Sequence, residues 1–251
     1  MITQARISAR IRIRKRFEDG FLKLWSLKPY ASIYEPTIFL GMYDSIDFNI
    51  IKRHKGFKVL LHTGSRDYEQ NNEYIKRLSA GTWFIDSFYC HFPKGVKVKE
   101  LHLPIKDYSR FKPNMLGDKI FIYLCNEKLK ERYGYELAEK VRRAVRYEVV
   151  SAYYNNGVDY KGKYYDNCFV NLNLSPSGCG GFTTAYELGY MGRMSITTSE
   201  APYPMFIRFN DFDDLIDKIN IESKKIGTIQ PSLMDGFHTK DDSWKKEEFW
   251  R

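Results

Sequence analysis

Short apolar runs alternate with longer amphipathic segments along most of the chain. Short apolar runs rich in β-branched residues are typical of strands that are buried on both faces, and apolar residues at helical spacing predict helices. In the first half, strands are predicted over 37–42, 58–62, 82–86 and 98–103, and helices over 44–54 and 68–79. Strands that alternate with helices favour βαβ units and a parallel sheet.

The alternation starts again at Lys119, after a polar stretch between Asp107 and Gly117 that contains Pro113 and Asn114. Polar segments with proline and glycine are typical of domain boundaries. The second series consists of strands over 119–124, 147–152, 169–174 and 194–198, and of helices over 128–144, 182–191 and 212–225. The predicted fold class is therefore α/β, with two Rossmann-like βαβ lobes.

Arginines interrupt the apolar pattern of the N-terminal segment. The apolar positions from Ile7 to Trp25 recur at roughly helical spacing, which predicts a basic amphipathic helix over 7–25. A solvated outer face, phosphate binding and membrane contact are three open interpretations of this helix. The whole chain is basic, with a formal net charge of +9, and such a charge attracts nucleic acid, acidic membrane surfaces or phosphorylated small molecules.

Composition excludes several classes of protein. The 4 cysteines include no CxxC pair and the 5 histidines no HxxxH pair, which argues against a zinc site or a disulfide framework. The apolar runs are too short to span a bilayer, and the N-terminus lacks the apolar core of a signal peptide. We therefore expect a cytoplasmic protein. The aromatic share of 16% suits sugars and bases, although core packing is its commoner use.

The segment 175–187, SPSGCGGFTTAYE, joins a predicted strand to a predicted helix. Glycines in front of a helix let the backbone approach an anion, and the free N–H groups and the helix dipole favour negative charge there. Thr183 and Thr184 add hydroxyl donors, and Glu187 lies one turn further along, where it can face a ribose hydroxyl. The segment matches neither a P-loop nor GxGxxG, and a tight turn without a ligand is the alternative.

The stretch from Asp166 to Pro202 resembles the donor-binding signature of GT-B glycosyltransferases. In that family a glycine-rich helix start meets the pyrophosphate of a sugar nucleotide, and a glutamate in the helix holds the ribose. The residues that match this signature are Ser177, Gly180, Gly181, Phe182, Thr183, Glu187 and Gly192. The loop after strand 119–124 also resembles the family, and there Lys128 is the basic residue implied for the diphosphate.

The resemblance covers about residues 100–225 and implies an activity. It implies transfer of a sugar from a UDP- or GDP-linked sugar to a hydroxyl of a glycan or of a hydroxymethylated DNA base, with no bound metal or further cofactor. Two departures matter. Many retaining members carry two glutamates separated by seven residues; Glu187 matches the second, and Cys179 stands where the first should be, which leaves the stereochemistry open. The chain is also short, which implies a shortened N-terminal lobe and a viral or phage-type member acting in the host cytoplasm.

The same resemblance implies a division of labour along the chain. Residues 1–112 form the acceptor-side lobe, residues 113–226 the donor-binding lobe, and residues 227–251 an extension that packs back on the first lobe. An acceptor hydroxyl needs a base, and the ionisable residues after the strands of the first lobe are Asp67, Asp44 and His62, in that order of preference. Helix capping is the alternative role for Asp44.

Two other classes of function stay open. A non-catalytic nucleic-acid-binding protein with a degenerate Rossmann-like lobe would account for the basic N-terminal segment, since lysine and arginine contacts with phosphates are independent of sequence. Another phosphate-handling α/β enzyme, such as a sugar-phosphate isomerase, would account for the glycine-rich segment.

Overall fold

The computed structural model describes residues 1–9, 20–61, 68–86, 92–124, 130–152, 162–175 and 181–251. The chain divides into two compact units, the first formed by Met1–Asp107 and His238–Arg251 and the second by Tyr108–Phe237. The first boundary lies a few residues before the predicted one at 112. Residues 227–237, which we assigned to the extension, are part of the second unit.

Backbone pairing explains why the second unit includes residues beyond 226. Leu116 donates its N–H to Thr228 O at 2.9 Å, and Gly227 donates its N–H to Leu116 O at 3.0 Å. Met115 and Ile229 form an antiparallel bridge next to these bonds. The start and the end of the second unit are therefore joined by hydrogen bonds that the sequence pattern does not reveal.

The first unit contains a six-stranded parallel sheet with the strand order β2–β1–β3–β4–β5–β6. The strands are β1 (Gln4–Ile7), β2 (Lys28–Pro29), β3 (Thr37–Leu40), β4 (Lys58–Leu61), β5 (Trp83–Asp86) and β6 (Val98–Glu100). The helices are α1 (Ser45–Arg53) and α2 (Tyr68–Leu78), a 3-10 turn at Ser79–Gly81, and a helical segment over 20–24.

Both faces of this sheet are covered at its centre, which is why the inner strands β3 and β4 are mainly apolar. In β3, Ile38 and Leu40 belong to one buried cluster and Phe39 to the other. The helical segment 20–24 adds Phe21 to the first cluster, whereas α1 adds Phe48 to the second. Consecutive strand residues point to opposite faces, so a strand buried on both sides shows a continuous apolar run.

The predicted N-terminal helix over 7–25 is wrong at its start. Gln4–Ile7 is strand β1, which pairs in parallel with β3 from Gln4 opposite Thr37 to Ile7 opposite Leu40. Ala5 and Ile7 point to one face of the sheet and are buried there. The last apolar residue of a strand happens to continue the helical spacing of the segment that follows, which explains the error. Residues 10–19 lie outside the described residues.

The second unit contains a five-stranded parallel sheet with the strand order β11–β10–β9–β7–β8. The strands are β7 (Lys119–Tyr123), β8 (Val149–Ala152), β9 (Cys168–Asn173), β10 (Met194–Thr197) and β11 (Phe206–Arg208). The helices are α3 (Tyr135–Ala144), α4 (Gly162–Tyr165), α5 (Phe182–Tyr190) and α6 (Phe212–Ser223). The α/β architecture with two parallel sheets agrees with the predicted pair of Rossmann-like lobes.

Helices pack on both faces of the second sheet. Val141 of α3 and Leu215 of α6 belong to one buried cluster, and Leu188 of α5 belongs to the cluster on the other face. The predicted helix over 128–144 is wrong in its first part. Lys130–Tyr133 is a separate 3-10 turn, and α3 begins only after Gly134, whose φ is 80°.

The C-terminal segment of the first unit is anchored by tryptophans. Trp244 and Trp250 lie in two short 3-10 turns, Ser243–Lys245 and Glu247–Trp250, and both rings are fully buried. Trp244 meets Trp25 edge-on at 5.2 Å between ring centroids, and Trp250 Nε1 donates to Trp244 O at 2.7 Å. This end of the chain is therefore part of the core of the first unit.

Candidate functional site

The order of the strands in the second sheet defines a crevice at one place. β7 and β9 are neighbours, and the chain leaves β7 for α3 on one face but leaves β9 for α5 on the opposite face. In doubly wound α/β sheets, the loops diverge at such a point and open a ligand crevice outside the carboxyl ends of the strands. The glycine-rich segment singled out in the sequence follows β9 and thus begins at this crevice.

Two helices begin at this crevice, and each has a glycine as its N-cap residue. Gly134 precedes α3 with a φ of 80°, and Gly181 precedes α5 with a φ of 71°. Both glycines lie against the end of β9, because a Cβ on Gly134 would be 2.1 Å from Leu174 O and one on Gly181 would be 3.5 Å from Asn173 Nδ2. The N-termini of the two helices, which carry the positive ends of their dipoles, therefore both lie beside the end of β9.

A glycine cannot cap a helix with a side chain. At α6, by contrast, Asp211 Oδ1 accepts the N–H of Asp214 at 2.9 Å. The first N–H groups of a helix have no partner within the helix, so they bind a side chain, water or a ligand. The glycine N-caps of α3 and α5 supply no side-chain acceptor for these N–H groups, and an anion is one of the partners that can satisfy them.

Hydrogen bonds between loops hold this edge of the sheet in place. Ser175 follows β9, and its Oγ donates to Arg132 O at 3.0 Å in the 3-10 turn before α3. Thr198, which follows β10, donates its Oγ1 proton to Ser175 O at 2.6 Å. The loops after three adjacent strands are thus connected through one serine, which holds together the edge of the sheet where α3 and α5 begin.

The predicted donor-binding residues of α5 differ in exposure. Gly181 and Thr183 are half-buried, whereas Phe182 and Thr184 are buried. The Phe182 ring packs against Tyr203 at 5.8 Å, so its contacts are those of a core residue. Thr184 is 1% exposed, and among the residues described its Oγ1 has no hydrogen-bond partner. Among the described residues at the start of α5, Gly181 and Thr183 are the ones that keep some exposed surface.

Glu187 lies inside the second unit. It is 1% exposed, and the Tyr165 hydroxyl donates a hydrogen bond to its Oε2. Tyr165 is 2% exposed and belongs to α4, just before β9. The predicted ribose contact of Glu187 stays a prediction, but the carboxylate has a protein partner that the sequence did not suggest.

Several predicted residues lie outside the described residues: Lys128, Ser177, Gly180, His62 and Asp67. The described basic residues nearest to the predicted Lys128 along the chain are Lys130 and Arg132, in the turn before Gly134. Lys130 Nζ lies 4.2 Å from the centre of the Tyr135 ring, and Arg132 is exposed. Two basic residues just before a helix with a glycine N-cap are a signal that sequence reasoning missed.

The first unit has its own divergence point, between β1 and β3. Asp44 follows β3 there, and its Oδ1 accepts the N–H groups of Ile46 and Asp47, each at 3.0 Å. The structure thus gives Asp44 the role of N-cap of α1, which was the alternative to its role as a base.

Asp47 is a buried carboxylate at the same edge, and sequence reasoning did not single it out. It is 4% exposed, accepts a hydrogen bond from the Ser8 hydroxyl and accepts the Tyr43 N–H at 3.1 Å. Arg6 lies 3.7 Å from its other oxygen. In the sequence, Asp47 stands next to Phe48 on the apolar side of a predicted helix. An acidic residue at such a position is the signal that indicates a buried carboxylate.

The comparisons with known proteins yield no relative from which an activity could be taken. Neither the scan against protein-family models nor the search of curated proteins gives a match.

Within the described ranges, no group of three or more histidine, cysteine, aspartate or glutamate side chains is placed to hold a metal ion. Among the helices that the structure describes, none is long and apolar enough to cross a membrane.

Proposed function

We propose that this chain is a GT-B-like glycosyltransferase that moves a sugar from a nucleoside-diphosphate sugar to an acceptor hydroxyl. The observation that supports this best is the position of two helix N-termini, at Gly134 and Gly181, beside the end of β9 at the divergence point of the second sheet. A diphosphate is a compact dianion or trianion, and such a group fits between two positive helix ends.

The electrostatics of the crevice suit the departure of a diphosphate. Each helix end contributes about half a positive charge, and these charges are fixed in place before the reaction begins. Lys130 and Arg132 add two formal positive charges in the turn that precedes α3. In this proposal, these groups stabilise the negative charge that develops on the leaving nucleoside diphosphate, the role predicted for Lys128, Ser177 and Gly180.

The transfer itself requires one proton acceptor. The base removes the proton of the acceptor hydroxyl, its oxygen forms a bond with the anomeric carbon, and the bond from that carbon to the diphosphate oxygen breaks. The electron pair leaves on the nucleoside diphosphate. Asp67 and His62 remain the proposed bases, whereas Asp44 is the weakest of the three because it already caps α1.

The distribution of charge suggests the nature of the acceptor. The first unit holds 23 of the 40 lysine and arginine residues but 15 of the 31 acidic residues, a formal charge of +8 out of +9. A basic unit attracts a polyanion, and long-range attraction raises the rate of encounter at low salt. A hydroxymethylated base in DNA fits this charge, and so does a glycan at an acidic membrane surface.

The test of the donor site is nucleotide binding by a pair of matched variants. Gly181 and Gly227 have positive φ values of 71° and 79°, and an added Cβ would meet ordinary contacts at the first and nothing within 4 Å at the second. Gly181→Ala and Gly227→Ala should therefore carry a similar backbone strain of about 1–2 kcal/mol. Only Gly181→Ala should weaken the binding of UDP or GDP, by about tenfold or more.

Calorimetric titration with UDP, GDP and their glucose conjugates measures this difference, and mass spectrometry of glycan and hydroxymethylated DNA acceptors then identifies the product. If the wild-type chain binds no nucleoside diphosphate and no nucleotide sugar, the proposal is wrong. Equal loss of affinity in both variants would show that Gly181 acts only through stability.

The charge of the first unit also favours a second candidate function, non-catalytic binding of nucleic acid. That function predicts DNA affinity that falls steeply with salt and is unchanged by nucleotide sugars. Fluorescence anisotropy with labelled DNA at several salt concentrations, with and without a nucleotide sugar, separates it from sugar transfer to DNA.

A further inference from the structure

Basic side chains crowd the edge of the first sheet at which its strands begin. Helices α1 and α2 end at this edge, and three neighbouring strands, β4, β5 and β6, start there. The segments 52–58, 76–83 and 92–99 lead into these strands, and we call the surface that they form the basic edge. They contain no aspartate or glutamate but nine basic residues: Lys52, Arg53, Lys55, Lys58, Lys76, Arg77, Lys94, Lys97 and Lys99.

Contacts between side chains show that the three segments form one surface. A Cβ on Gly81, just before β5, would be 3.7 Å from Lys58 Nζ at the start of β4. Lys97 Nζ, just before β6, lies 5.5 Å from the centre of the Trp83 ring at the start of β5. Neighbouring strands are about 4.8 Å apart, so the basic edge extends about 10 Å from β4 to β6.

The helix ends account for only part of this charge. Basic residues in the last turn of a helix interact favourably with the negative end of the helix dipole. Four of the nine residues lie in such turns: Lys52 and Arg53 in α1, and Lys76 and Arg77 in α2. The other five lie in the loops and at the starts of strands, where no helix dipole stabilises them.

Ion pairs also leave most of this charge in place. Among the residues that the structure describes, Lys76 is the one member of the set with an acidic partner, Glu73, at 3.2 Å. Burial lowers the pKa of Lys58, and the positive charge of Lys55 lowers this pKa further. The like charges of the basic edge are therefore close enough to repel each other, and a bound anion would relieve that repulsion.

Acidic residues of other segments border the basic edge at two places. A Cβ on Gly56 would be 2.9 Å from Glu35 O, so Glu35 lies beside the first segment. Lys99 Nζ lies 4.2 Å from the centre of the Phe249 ring, and the turn that contains Phe249 also contains Glu247 and Glu248. These acidic residues are fewer than the nine basic ones, so the surface stays positive.

We propose that the basic edge binds the phosphate backbone of duplex DNA. Lysine and arginine contacts with phosphates supply affinity that does not depend on base sequence, and a positive row about 10 Å long spans about three base-pair steps of 3.4 Å. This inference goes beyond the proposed sugar transfer and requires no donor site. The carboxyl ends of the strands lie at the opposite edge of the sheet, so DNA bound here does not occupy the place predicted for the acceptor.

An acidic membrane is the other extended anion that a basic surface attracts. Surfaces that bind membranes usually insert apolar side chains beside their lysines. The three segments lie within the described ranges, and none of their large apolar side chains is exposed. The exposed apolar residues nearest to them along the backbone contacts are Ile33 and Tyr34, at 41% and 72% exposure, which border one end of the surface beside Lys55. These observations favour nucleic acid.

The experiment compares two triple variants of the full chain that lose the same charge. The first replaces three exposed lysines of the basic edge by glutamine: Lys55→Gln, Lys94→Gln and Lys97→Gln. The control replaces three exposed lysines of the second unit: Lys112→Gln, Lys140→Gln and Lys224→Gln. Both triples have the same net charge, so a difference between them reports local contacts and not long-range attraction.

Fluorescence anisotropy with a labelled DNA duplex at several salt concentrations measures the affinity and its dependence on salt. Each phosphate contact contributes about 0.9 to the slope of log affinity against log salt. The basic-edge triple should therefore lower the slope by about 2 to 3 and weaken binding at low salt about tenfold or more. The control triple should lower the slope by less than about 1.

A second measurement needs no variant. Acetylation of lysines in the wild-type chain, with and without the DNA duplex, is followed by mass spectrometry. We expect DNA to protect Lys55, Lys94 and Lys97, and to leave the three lysines of the control triple equally reactive. Protection of the control lysines alone would contradict the proposal.

Vesicles of phosphatidylcholine and phosphatidylserine test the other partner. If the wild type binds these vesicles through the basic edge and has no affinity for duplex DNA, the partner is a membrane and the proposal is wrong. Equal effects of the two triples would also overturn it. So would a loss of DNA binding that follows only the replacement of Arg10, Arg12, Arg14 and Arg16 in the N-terminal segment.

Titration with UDP and GDP separates this inference from the proposed function. Both triples should bind the nucleotides as the wild type does. A chain that binds DNA through the basic edge but binds no nucleotide or nucleotide sugar overturns sugar transfer alone, whereas nucleotide binding without DNA binding overturns this inference alone. Far-UV circular dichroism checks that each variant is folded.

Discussion

Gly134 and Leu174 lie so close together that no side chain fits between them: a Cβ on Gly134 would be 2.1 Å from the carbonyl oxygen of Leu174. Leu174 follows the last residue of β9, and Gly134 is the N-cap residue of α3. This contact brings the start of α3 to the end of β9. It also separates α3 from the preceding 3-10 turn, because the φ of 80° at Gly134 interrupts the helical path.

Gly134→Ala should destabilise the second unit strongly. The substitution combines a left-handed backbone with a steric clash against a carbonyl oxygen, and we expect a loss of about 3 kcal/mol or more in the free energy of unfolding. Gly236→Ala is the control, since Gly236 has a φ of 78° and no atom within 4 Å of an added Cβ. Urea denaturation measures both, and equal losses would contradict the role given to the contact with Leu174.

Arg193→Met should also destabilise the second unit. The Arg193 guanidinium is fully buried and donates to Cys168 O at 2.8 Å, to Met191 O at 2.8 Å and to Asn114 Oδ1 at 2.6 Å. Methionine keeps much of the volume but removes these buried hydrogen bonds, so we expect a loss of about 3 kcal/mol.

The control for Arg193 is Arg208→Met, which removes an exposed ion pair with Glu200. Its effect should stay within about 0.5 kcal/mol. Both variants should have denaturation curves with an unchanged slope. If Arg193 has a buried hydrogen-bonding role, only Arg193→Met should shift the midpoint. A shift below 1 kcal/mol for Arg193→Met would contradict it.

The thiol of Cys168 should be inert in the folded protein. Burial raises the pKa of Cys168 to about 12, and the residue is 0% exposed. Thiolate is the reactive form, so at pH 8 the fraction available to iodoacetamide is very small. Mass spectrometry should find the peptide with Cys168 labelled only after denaturation. Labelling in the native state at the rate of a free thiol would rule out this description of the site.

Stability should fall on acidification through His238. Burial, and then the charge of His102, lower the pKa of His238 to about 3, whereas an unfolded histidine titrates near its ordinary value of about 6.5. Above that value both states are neutral and His238 carries no penalty. As the pH falls from about 6.5 towards 3, the unfolded state takes up a proton that the folded state does not, and unfolding is favoured.

The measurement for His238 is urea denaturation at several pH values. Between pH 7.5 and 4.5, the wild type should lose about 2 kcal/mol more than His238→Gln does. An identical pH dependence in the two proteins would show that His238 titrates normally in the folded state.

The periodic pattern of apolar residues predicts most of the described strands and helices, but it misses β2, β11 and α4, and the strand predicted over 98–103 is only Val98–Glu100. Segments such as 58–62 and 119–124 are confirmed as β4 and β7, because strands buried on both faces have continuous apolar runs. The pattern is wrong at Ile7 and at Gly134, where a strand end continues the spacing of a helix and where a long-range contact interrupts a helix.

Some features of the candidate site are likewise predictable from the local sequence, and others are not. A glycine-rich segment between a strand and a helix indicates an anion site from local sequence alone, since the helix start and the conformational freedom of glycine are local properties. Asp44 as a helix cap is local too. The contacts of Glu187 with Tyr165 and of Asp47 with Ser8 join residues far apart in the sequence, and no local pattern reports them.

By itself, the sequence determined the α/β class, the alternation of strands and helices, and the presence of a glycine-rich segment before α5. Burial of a strand on both faces and the start of a helix both depend on residues that are neighbours in the sequence, so a local pattern reveals them. Only the tertiary structure decided that β7 lies beside β9, that α3 and α5 therefore diverge from one point, and that Gly134 and Gly181 both lie beside the end of β9. Strand order depends on which apolar surfaces pack together after the chain has folded, and the inner strands β3, β4, β7 and β9 offer similar apolar surfaces. The order of the strands is therefore determined by the packing of the whole unit and not by any local segment.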